Sequence, residues 1–286
     1  VHRLFRRSAP LLALLCATAA LPGCSPAADG ASDARPAAAS PAPGKVRLPP
    51  ADAVFDYQLG GAYPPRDDVR VVSRDRTEKP AAGRYNVCYV NAFQTQPGGA
   101  VGWWRRHQPD LLLHEKGDDG PLVIDEDWDE PLLDVSTPAK RTAAAEVVGG
   151  WIDGCATAGF DAVEADNLDS YERSGGRLDA DDAAAFARLL ARRAHARGLA
   201  FAQKNTAALL GERSRIGFDF AVTEECARYR ECDRYLSAYD GRVLDIEYRA
   251  RDFTSGCRRW GDRLSLTLRD RDVRPEGEHG HVYRHC

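Results

Sequence analysis

Phe160-Asp-Ala-Val-Glu-Ala-Asp-Asn-Leu-Asp169 is an apolar run that finishes in a cluster of carboxylates. Alternation along an extended chain puts Glu164 and Asp166 on one face, so a strand here delivers two acids to the same side of its end. Helical signals flank it. Upstream, Thr137 stands as an N-cap with Pro138 at the first helical position. Val147, Val148, Trp151, Ile152 and Cys155 then share one face, and Gly159 stops the helix. Downstream, Asp179 opens a second helix with Asp181 and Asp182 in its first turn. Phe186, Leu189, Leu190 and Ala194 form its apolar stripe, and Gly198 ends it. Leu199–Lys204 then reads as the next strand. Strand, helix, strand in succession implies parallel strands, because a parallel pair needs a crossover of this length.

Working outward, nine segments carry strand composition: Val54–Leu59, Val69–Arg74, Tyr85–Val90, Leu132–Ser136, Phe160–Asp166, Leu199–Lys204, Phe218–Glu224, Val243–Tyr248 and Leu264–Arg269. From about Ala51 to Cys286 the chain has the size of one (β/α)8 TIM-type barrel, which is the expected fold. Nine candidates compete for eight positions, and the first three are joined by connections too short for a helix. One early strand, or the last, is expected outside the barrel or paired antiparallel. A doubly wound open sheet is the structural alternative, but no Gly-rich dinucleotide loop follows any strand.

The acidic pattern repeats. Phe218-Asp-Phe-Ala-Val-Thr-Glu-Glu-Cys226 ends like the first stretch, and Val243-Leu-Asp-Ile-Glu-Tyr248 does so more weakly. In a barrel the C-terminal strand ends meet on one rim, where active sites are built. Carboxylates gathered there repel one another and separate into a proton donor and an ionised partner. Glycoside hydrolysis needs such a pair. A single strand-end acid is as well explained by a helix cap or an Arg partner; three clusters favour chemistry.

These segments resemble glycoside hydrolase family 114, the endo-α-1,4-polygalactosaminidases. The resemblance runs from Phe55-Asp-Tyr-Gln-Leu59 to Leu268-Arg-Asp-Arg271 through Val87-Cys-Tyr-Val90, Leu133-Asp-Val-Ser136, Gly159–Asp169, Gln203-Lys-Asn205, Phe218–Cys226 and Glu247-Tyr248. It implies a β/α barrel acting on α-1,4-linked galactosamine polymers. It makes Asp166 and Glu224 the catalytic carboxylates, Asp166 as nucleophile or base and Glu224 as acid/base. Ala165 stands where the family often has Pro. Alternation puts Glu224 and Glu225 on opposite faces, and which of them enters the site stays open.

Further residues suit a carbohydrate groove. Asp56, Tyr57 and Gln58 at the first strand end are expected to hydrogen-bond sugar, with Lys204 and Asn205 on the same rim. Tyr89 and Trp128 are candidates to stack on sugar faces, as is Trp103-Trp104, although a core role suits each aromatic equally. Glu164, Asn167, Asp169, Glu225 and Glu247 complete the expected substrate contacts. Asp125-Glu-Asp-Trp-Asp-Glu130 reads first as a solvated loop and second as counter-charge for a polymer of protonated amines. His195 is read as stabilising a helix end. No GxSxG elbow, Ser-His-Asp order or EF-hand spacing is present. Neither metal nor cofactor is expected. Two other readings fit the same residues: a surface protein that binds polysaccharide without cutting it, and a barrel hydrolase with a different sugar specificity.

The N-terminus has a different character. His2, Arg3, Arg6 and Arg7 precede an apolar run, Pro10 to Leu21, too short to cross a bilayer. Leu21-Pro22-Gly23-Cys24 resembles a bacterial lipobox, which would make residues 1–23 a signal peptide and Cys24 a lipidated anchor. Residues 24–50, rich in Ala, Pro, Ser and Gly, read as a tether without a core. Residues 51–286 are then the catalytic barrel, exported and held by lipid on the outer face of the cell membrane. Of eight cysteines, six remain in an exported domain, with fifteen possible connectivities. Cys226–Cys232 is favoured as a local loop and Cys257–Cys286 as a C-terminal staple, leaving Cys88–Cys155 by elimination. The net charge of −4 argues against nucleic acid. The expected partner is galactosamine-containing polysaccharide, bound by a monomer.

Overall fold

The computed structural model of the protein describes residues 46–96, 99–117 and 120–286. The expected signal peptide, Cys24 and all but the last five residues of the tether lie outside the described residues. Those last five already belong to the domain. Arg47 pairs with Asp161, and its carbonyl accepts from the Tyr85 hydroxyl at 2.8 Å. The packed chain therefore starts before residue 51.

β1 (Phe55–Tyr57), β2 (Val71–Asp75) and β3 (Tyr85–Asn91) come first, joined without helices. α1 (Gly99–His107) follows, then a small antiparallel hairpin of β4 (Ile124–Asp125) and β5 (Glu130–Pro131). α2 (Pro138–Ala158), β6 (Ala162–Asp166), α3 (Ala180–Ala196) and β7 (Ala200–Lys204) give the regular alternation. After α4 (Arg213–Ile216) come β8 (Phe220–Glu224), α5 (Cys226–Tyr229), α6 (Cys232–Tyr239) and β9 (Val243–Glu247). α7 (Ala250–Trp260), β10 (Ser265–Arg269) and β11 (Tyr283–His285) end the chain.

β1, β2, β3, β6, β7, β8, β9 and β10 are parallel neighbours in that order. The two outer members approach each other: Ala53 N donates to Ser265 Oγ at 2.9 Å, and Gly60 N to the Val273 carbonyl at 3.2 Å. A Cβ at position 60 would collide with that carbonyl, so only glycine lets the two loops meet. The result is the expected β/α barrel, nearly closed. The surplus strand is resolved differently from expectation. Leu132–Ser136 is not in the sheet: Leu132 and Leu133 make only isolated bridges to Gln94 and Leu112. An apolar run buried on both sides does not distinguish a strand from a packed loop. The antiparallel member is β11, which pairs with β10.

Period-2 alternation sorts the core. Phe55, Val71, Tyr85, Val87, Ala162, Ala200, Ala202, Phe220, Val222, Leu244 and Ile246 fill the barrel. Small residues on β6 and β7 leave room for aromatic rings from β1, β3 and β8. The intervening residues face outward. Val163, Ala165 and Phe201 meet Val148, Ile152, Phe186 and Leu190 of α2 and α3. Both helix starts are capped as their sequences require. Thr137 accepts from Lys140 N, and Asp179 forms a reciprocal capping box with Asp182. Gly159 ends α2 at φ 94°. His195 pairs with Asp219 at 2.8 Å.

The cysteines pair as Cys88–Cys155, Cys226–Cys232 and Cys257–Cys286, with Cα separations of 6.1, 5.0 and 5.5 Å. The first ties β3 to α2, the second bridges α5 and α6, and the third fastens the C-terminus to α7. Among the described residues, no helix is long and apolar enough to cross a membrane.

Candidate active site

The inward columns that fill the barrel continue past its apolar layers and change character at the C-terminal rim. Phe55 is followed on its face by Tyr57, Val87 by Tyr89, and Ala162 by Glu164 and Asp166. Ala202 is followed by Lys204, Val222 by Glu224, and Ile246 by Tyr248. Alternation thus delivers three tyrosines, a lysine and three carboxylates from different strands to one end of the same core. Three of these strands then turn away sharply. Asn167, Asn205 and Glu225, each just past its strand, have φ of 64°, 46° and 59°. Asn tolerates that region; a Glu there is strained, by about 1–3 kcal/mol, and is held by its surroundings.

Lys204 is the hub. Its ammonium is 2.9 Å from Glu164 Oε1, 3.0 Å from Asp166 Oδ1 and 3.5 Å from Glu224 Oε2. Glu164 is fully buried and also accepts from the Tyr57 hydroxyl at 2.8 Å and the Ser73 hydroxyl at 3.0 Å. Asp166 accepts from the Tyr89 hydroxyl at 2.6 Å and from Asn167 N at 2.8 Å. Tyr248 donates to Glu224 Oε1, and Asn205 Oδ1 accepts from Glu224 N at 2.8 Å.

Electrostatics separates the acids. Burial pushes the Asp166 carboxyl up, but Lys204, Tyr89 and the Asn167 N–H together hold it below the ordinary aspartate value. Glu164 goes the other way: burial outweighs its share of Lys204, and Asp166 raises it further. Burial opposes the charge on Lys204, yet Asp166, Glu164 and Glu224 keep its pKa well above the ordinary lysine range. Tyr57, Tyr89 and Tyr248 are all raised well above 10.0, first by burial and then by these carboxylates, so they stay protonated and donate to the acids, while the Tyr57 oxygen also accepts from Lys204 at 3.3 Å. Asp166 is therefore an ionised carboxylate, with Glu224, 32% exposed, opposite it across an ammonium.

Above this floor lies a cleft of about 470 Å³. Tyr57, Tyr89, Asp166, Asn167, Asp169, Asn205 and Glu224, all expected in the site, line it. The acidic loop, solvent-exposed from Glu126 to Asp129, also forms one wall. Asp125 and Glu130 are buried, Asp127 and Trp128 line the cleft, and the Trp128 ring is 58% exposed at the lip. Arg173 ties that wall to Asp125 at 2.8 Å and to Asp169 at 2.9 Å. Burial lifts the Glu130 carboxyl to about 7 against a hydrogen bond from Asn91.

Other expectations need correction. Asp56 and Gln58 are fully buried on the opposite parity of β1 and do not line the cleft. Gln58 donates to Asp56 at 2.7 Å and accepts from Arg74, while Asp56 also accepts from Tyr63. Their polar atoms hold the barrel wall together. Glu164 lies beneath the cleft as the anchor of Lys204. Trp104 is core, and Trp103 lies beside a separate hollow with Arg76 and Trp151.

Glu247 faces outward with Asp245, under α5. Its Oε1 accepts from Ala227 N at 2.8 Å, and Asp245 accepts from Thr223 Oγ1 and Cys226 N. Burial pushes Asp245 to about 7, helped by Glu224 and opposed by hydrogen bonds from Thr223, the Cys226 N–H and Glu247. Burial likewise pushes Glu247 to about 8, helped by Asp245 and Glu225 and opposed by the Ala227 and Arg228 N–H groups. Both values exceed those of the unfolded chain. The pair's contribution to stability is therefore complete below about pH 4 and is lost as pH rises through 7 to 8. Melting curves should show the melting temperature falling across that window. Asp245→Asn with Glu247→Gln should flatten the fall; an unchanged pH profile would contradict the raised values of this pair.

An ionised carboxylate and a second carboxylate flank an open cleft on the C-terminal rim of a β/α barrel, an arrangement of the kind glycoside hydrolysis needs. The chain belongs to glycoside hydrolase family GH114, whose profile matches residues 34–286. The Aspergillus fumigatus protein Ega3, solved with galactosamine, matches at a TM-score of 0.68 and 21% identity, over 85% of this chain and 99% of that one. The glycoside hydrolase domain of PelA from Pseudomonas aeruginosa matches at 0.55 and 14%, over 80% and 97%. These likenesses show the fold. No curated protein matches the chain in sequence.

Tyr248, Arg173 and Arg271 belong to the cleft but are absent from the expected contacts. Parity along β9 was the signal for Tyr248, which shares a face with Ile246. Arg173 ends a single 3-10 turn (Ser170–Arg173) and Arg271 lies in a loop, and neither segment is long enough for periodicity to point to a direction.

Proposed function

We propose that the protein is an endo-acting hydrolase of α-1,4-linked galactosamine polymers, with Asp166 as nucleophile and Glu224 as acid/base. The observation that carries this is the single Lys204 ammonium, 3.0 Å from Asp166 and 3.5 Å from Glu224 at the floor of the cleft. The separation of those two oxygens cannot exceed the sum of the distances. This bound accommodates the retaining spacing of about 5–5.5 Å and reaches only the lower edge of the inverting one of about 6.5–9.5 Å.

In the first step Asp166 attacks the anomeric carbon and the glycosidic bond breaks, while Glu224 gives its proton to the leaving oxygen. In the second, Glu224 takes a proton from water, and the water oxygen displaces Asp166. Lys204 and the Tyr89 hydroxyl stabilise Asp166 as the free carboxylate before attack and on release. Tyr248 orients Glu224.

Charge supports the choice of substrate. Asp125, Asp127, Glu130, Asp166, Asp169, Glu224 and Asp272 line the cleft against Arg173 and Arg271. Such a surface concentrates a polymer whose amines are protonated at neutral pH. The galactosamine held by Ega3 agrees with this. Incubation with deacetylated polymer should give a ladder of short oligomers by mass spectrometry; unchanged chain length would overturn the assignment.

We also propose that the chain is exported and anchored through lipid on Cys24. Cell fractionation should find it with the membranes, and Cys24→Ser should release it or block processing. Equal membrane association of the variant would contradict the anchor.

A further inference from the structure

The cleft has a second lobe, of about 600 Å³, which shares Asp169, Asn205 and Glu224 with the first. We propose that this lobe binds the leaving-group side of the polymer and recognises its protonated amines, with Tyr229 as the platform for a sugar ring. The inference rests on the proposed galactosaminidase reading and extends it to where the departing chain lies.

Position is the first argument. Glu224 borders both lobes, and an acid that protonates the glycosidic oxygen must stand between the sugar being attacked and the one departing. Asp166 lines only the first lobe. The second therefore lies on the departing side.

Chemistry is the second. The lobe is lined by Asp169, Glu172, Glu224, Glu225 and Glu231 against Arg234. Glu225 is only 6% exposed. Its Oε2 pairs with Arg228 at 2.5 Å, while Oε1 has no hydrogen-bond partner among the described residues. A buried carboxylate oxygen without a donor is costly unless something supplies one. A bound ammonium would complete it. Tyr229, 59% exposed, offers the flat apolar face that sugar rings pack against.

Rigidity is the third. The Cys226–Cys232 disulfide encloses the short segment that carries Tyr229 and Glu231. Arg228 lies over the Tyr229 ring at 4.9 Å while holding Glu225. One guanidinium thus fixes both platform and carboxylate before substrate arrives, which lowers the ordering cost of binding.

The test is binding, measured by calorimetry in an Asp166→Asn background, of deacetylated α-1,4-galactosamine oligomers of increasing length. Affinity should rise at least about tenfold once the chain is long enough to pass Glu224. Tyr229→Ala, and separately Glu172→Gln with Glu231→Gln, should remove most of that gain, with melting temperatures confirming folded protein. The N-acetylated oligomers, which carry no charge, should show little gain with length. An equal length dependence in the variants and the parent would overturn the proposal. Failure of the shortest oligomers to bind at all would instead remove the galactosamine reading beneath it.

Discussion

Glu224→Gln is expected to lower turnover of the polymer by about 10²–10⁴-fold, the usual worth of general acid–base assistance. Asp166→Asn should lower it at least as far. The two losses differ in kind, and the difference identifies the roles. A sugar leaving group needs a proton, whereas a nitrophenolate does not. On a nitrophenyl galactosaminide, Glu224→Gln should therefore still form the glycosyl-enzyme, giving a burst of nitrophenolate followed by slow turnover. Asp166→Asn has nothing to attack with and should give no burst. Substrate binding should change much less, because both amides keep volume and most hydrogen bonding. Glu225→Gln separates the neighbours. Its carboxylate faces away from the barrel axis and is held by Arg228, so its effect should appear mainly in KM. If Glu225→Gln removes the burst while Glu224→Gln behaves as the parent, the two roles are exchanged.

Lys204→Met should be the most damaging single change to the fold of the site. It leaves Glu164 fully buried beside Asp166 with no cation between them. Breaking a buried ion pair by removing one partner costs about 3–5 kcal/mol, a large part of the stability of most domains. Glu164→Gln added to Lys204→Met removes the stranded charge and should recover most of that loss in denaturant titration. Activity should not recover. Without the ammonium, the balance that holds Asp166 below its ordinary value is lost. The acidic limb of the kcat/KM profile should then move to higher pH, because Asp166 must still be ionised to attack. A limb that stays in place would show that Lys204 serves the fold alone.

Alternation was the strongest signal in the sequence, and it was informative wherever it was followed to the strand end. On β6 it put Glu164 and Asp166 on one face, and both project from the barrel interior. On β8 it separated Glu224 from Glu225. The same rule applied to β1 keeps Tyr57 and rejects Asp56 and Gln58, and applied to β9 it rejects Glu247 and selects Tyr248. Proximity to a strand end does not tell which side of the sheet a residue faces; parity does. Parity does not say how deep a residue sits. Glu164 and Asp166 share a face, yet one residue pair of rise puts Glu164 below the cleft as an anchor and Asp166 at its floor.

Loops set the remainder. The acidic run Asp125–Glu130 forms a cleft wall because β4 and β5 fold it back and Arg173 ties Asp125 to Asp169. That arginine lies far along the chain in a segment without periodicity. Leu132–Ser136 has the composition of a strand, but its neighbours Gln94 and Leu112 offer only single bridges. Hydrophobicity alone does not reveal whether a continuous ladder is available.

The most direct test of the central claim is mass spectrometry of the Glu224→Gln protein after brief exposure to the nitrophenyl galactosaminide. Retaining chemistry through Asp166 predicts a mass gain of one galactosamine residue, which proteolysis then places on the peptide carrying Asp166. Hydrolysis with no adduct, or an adduct on a different carboxylate, would contradict it.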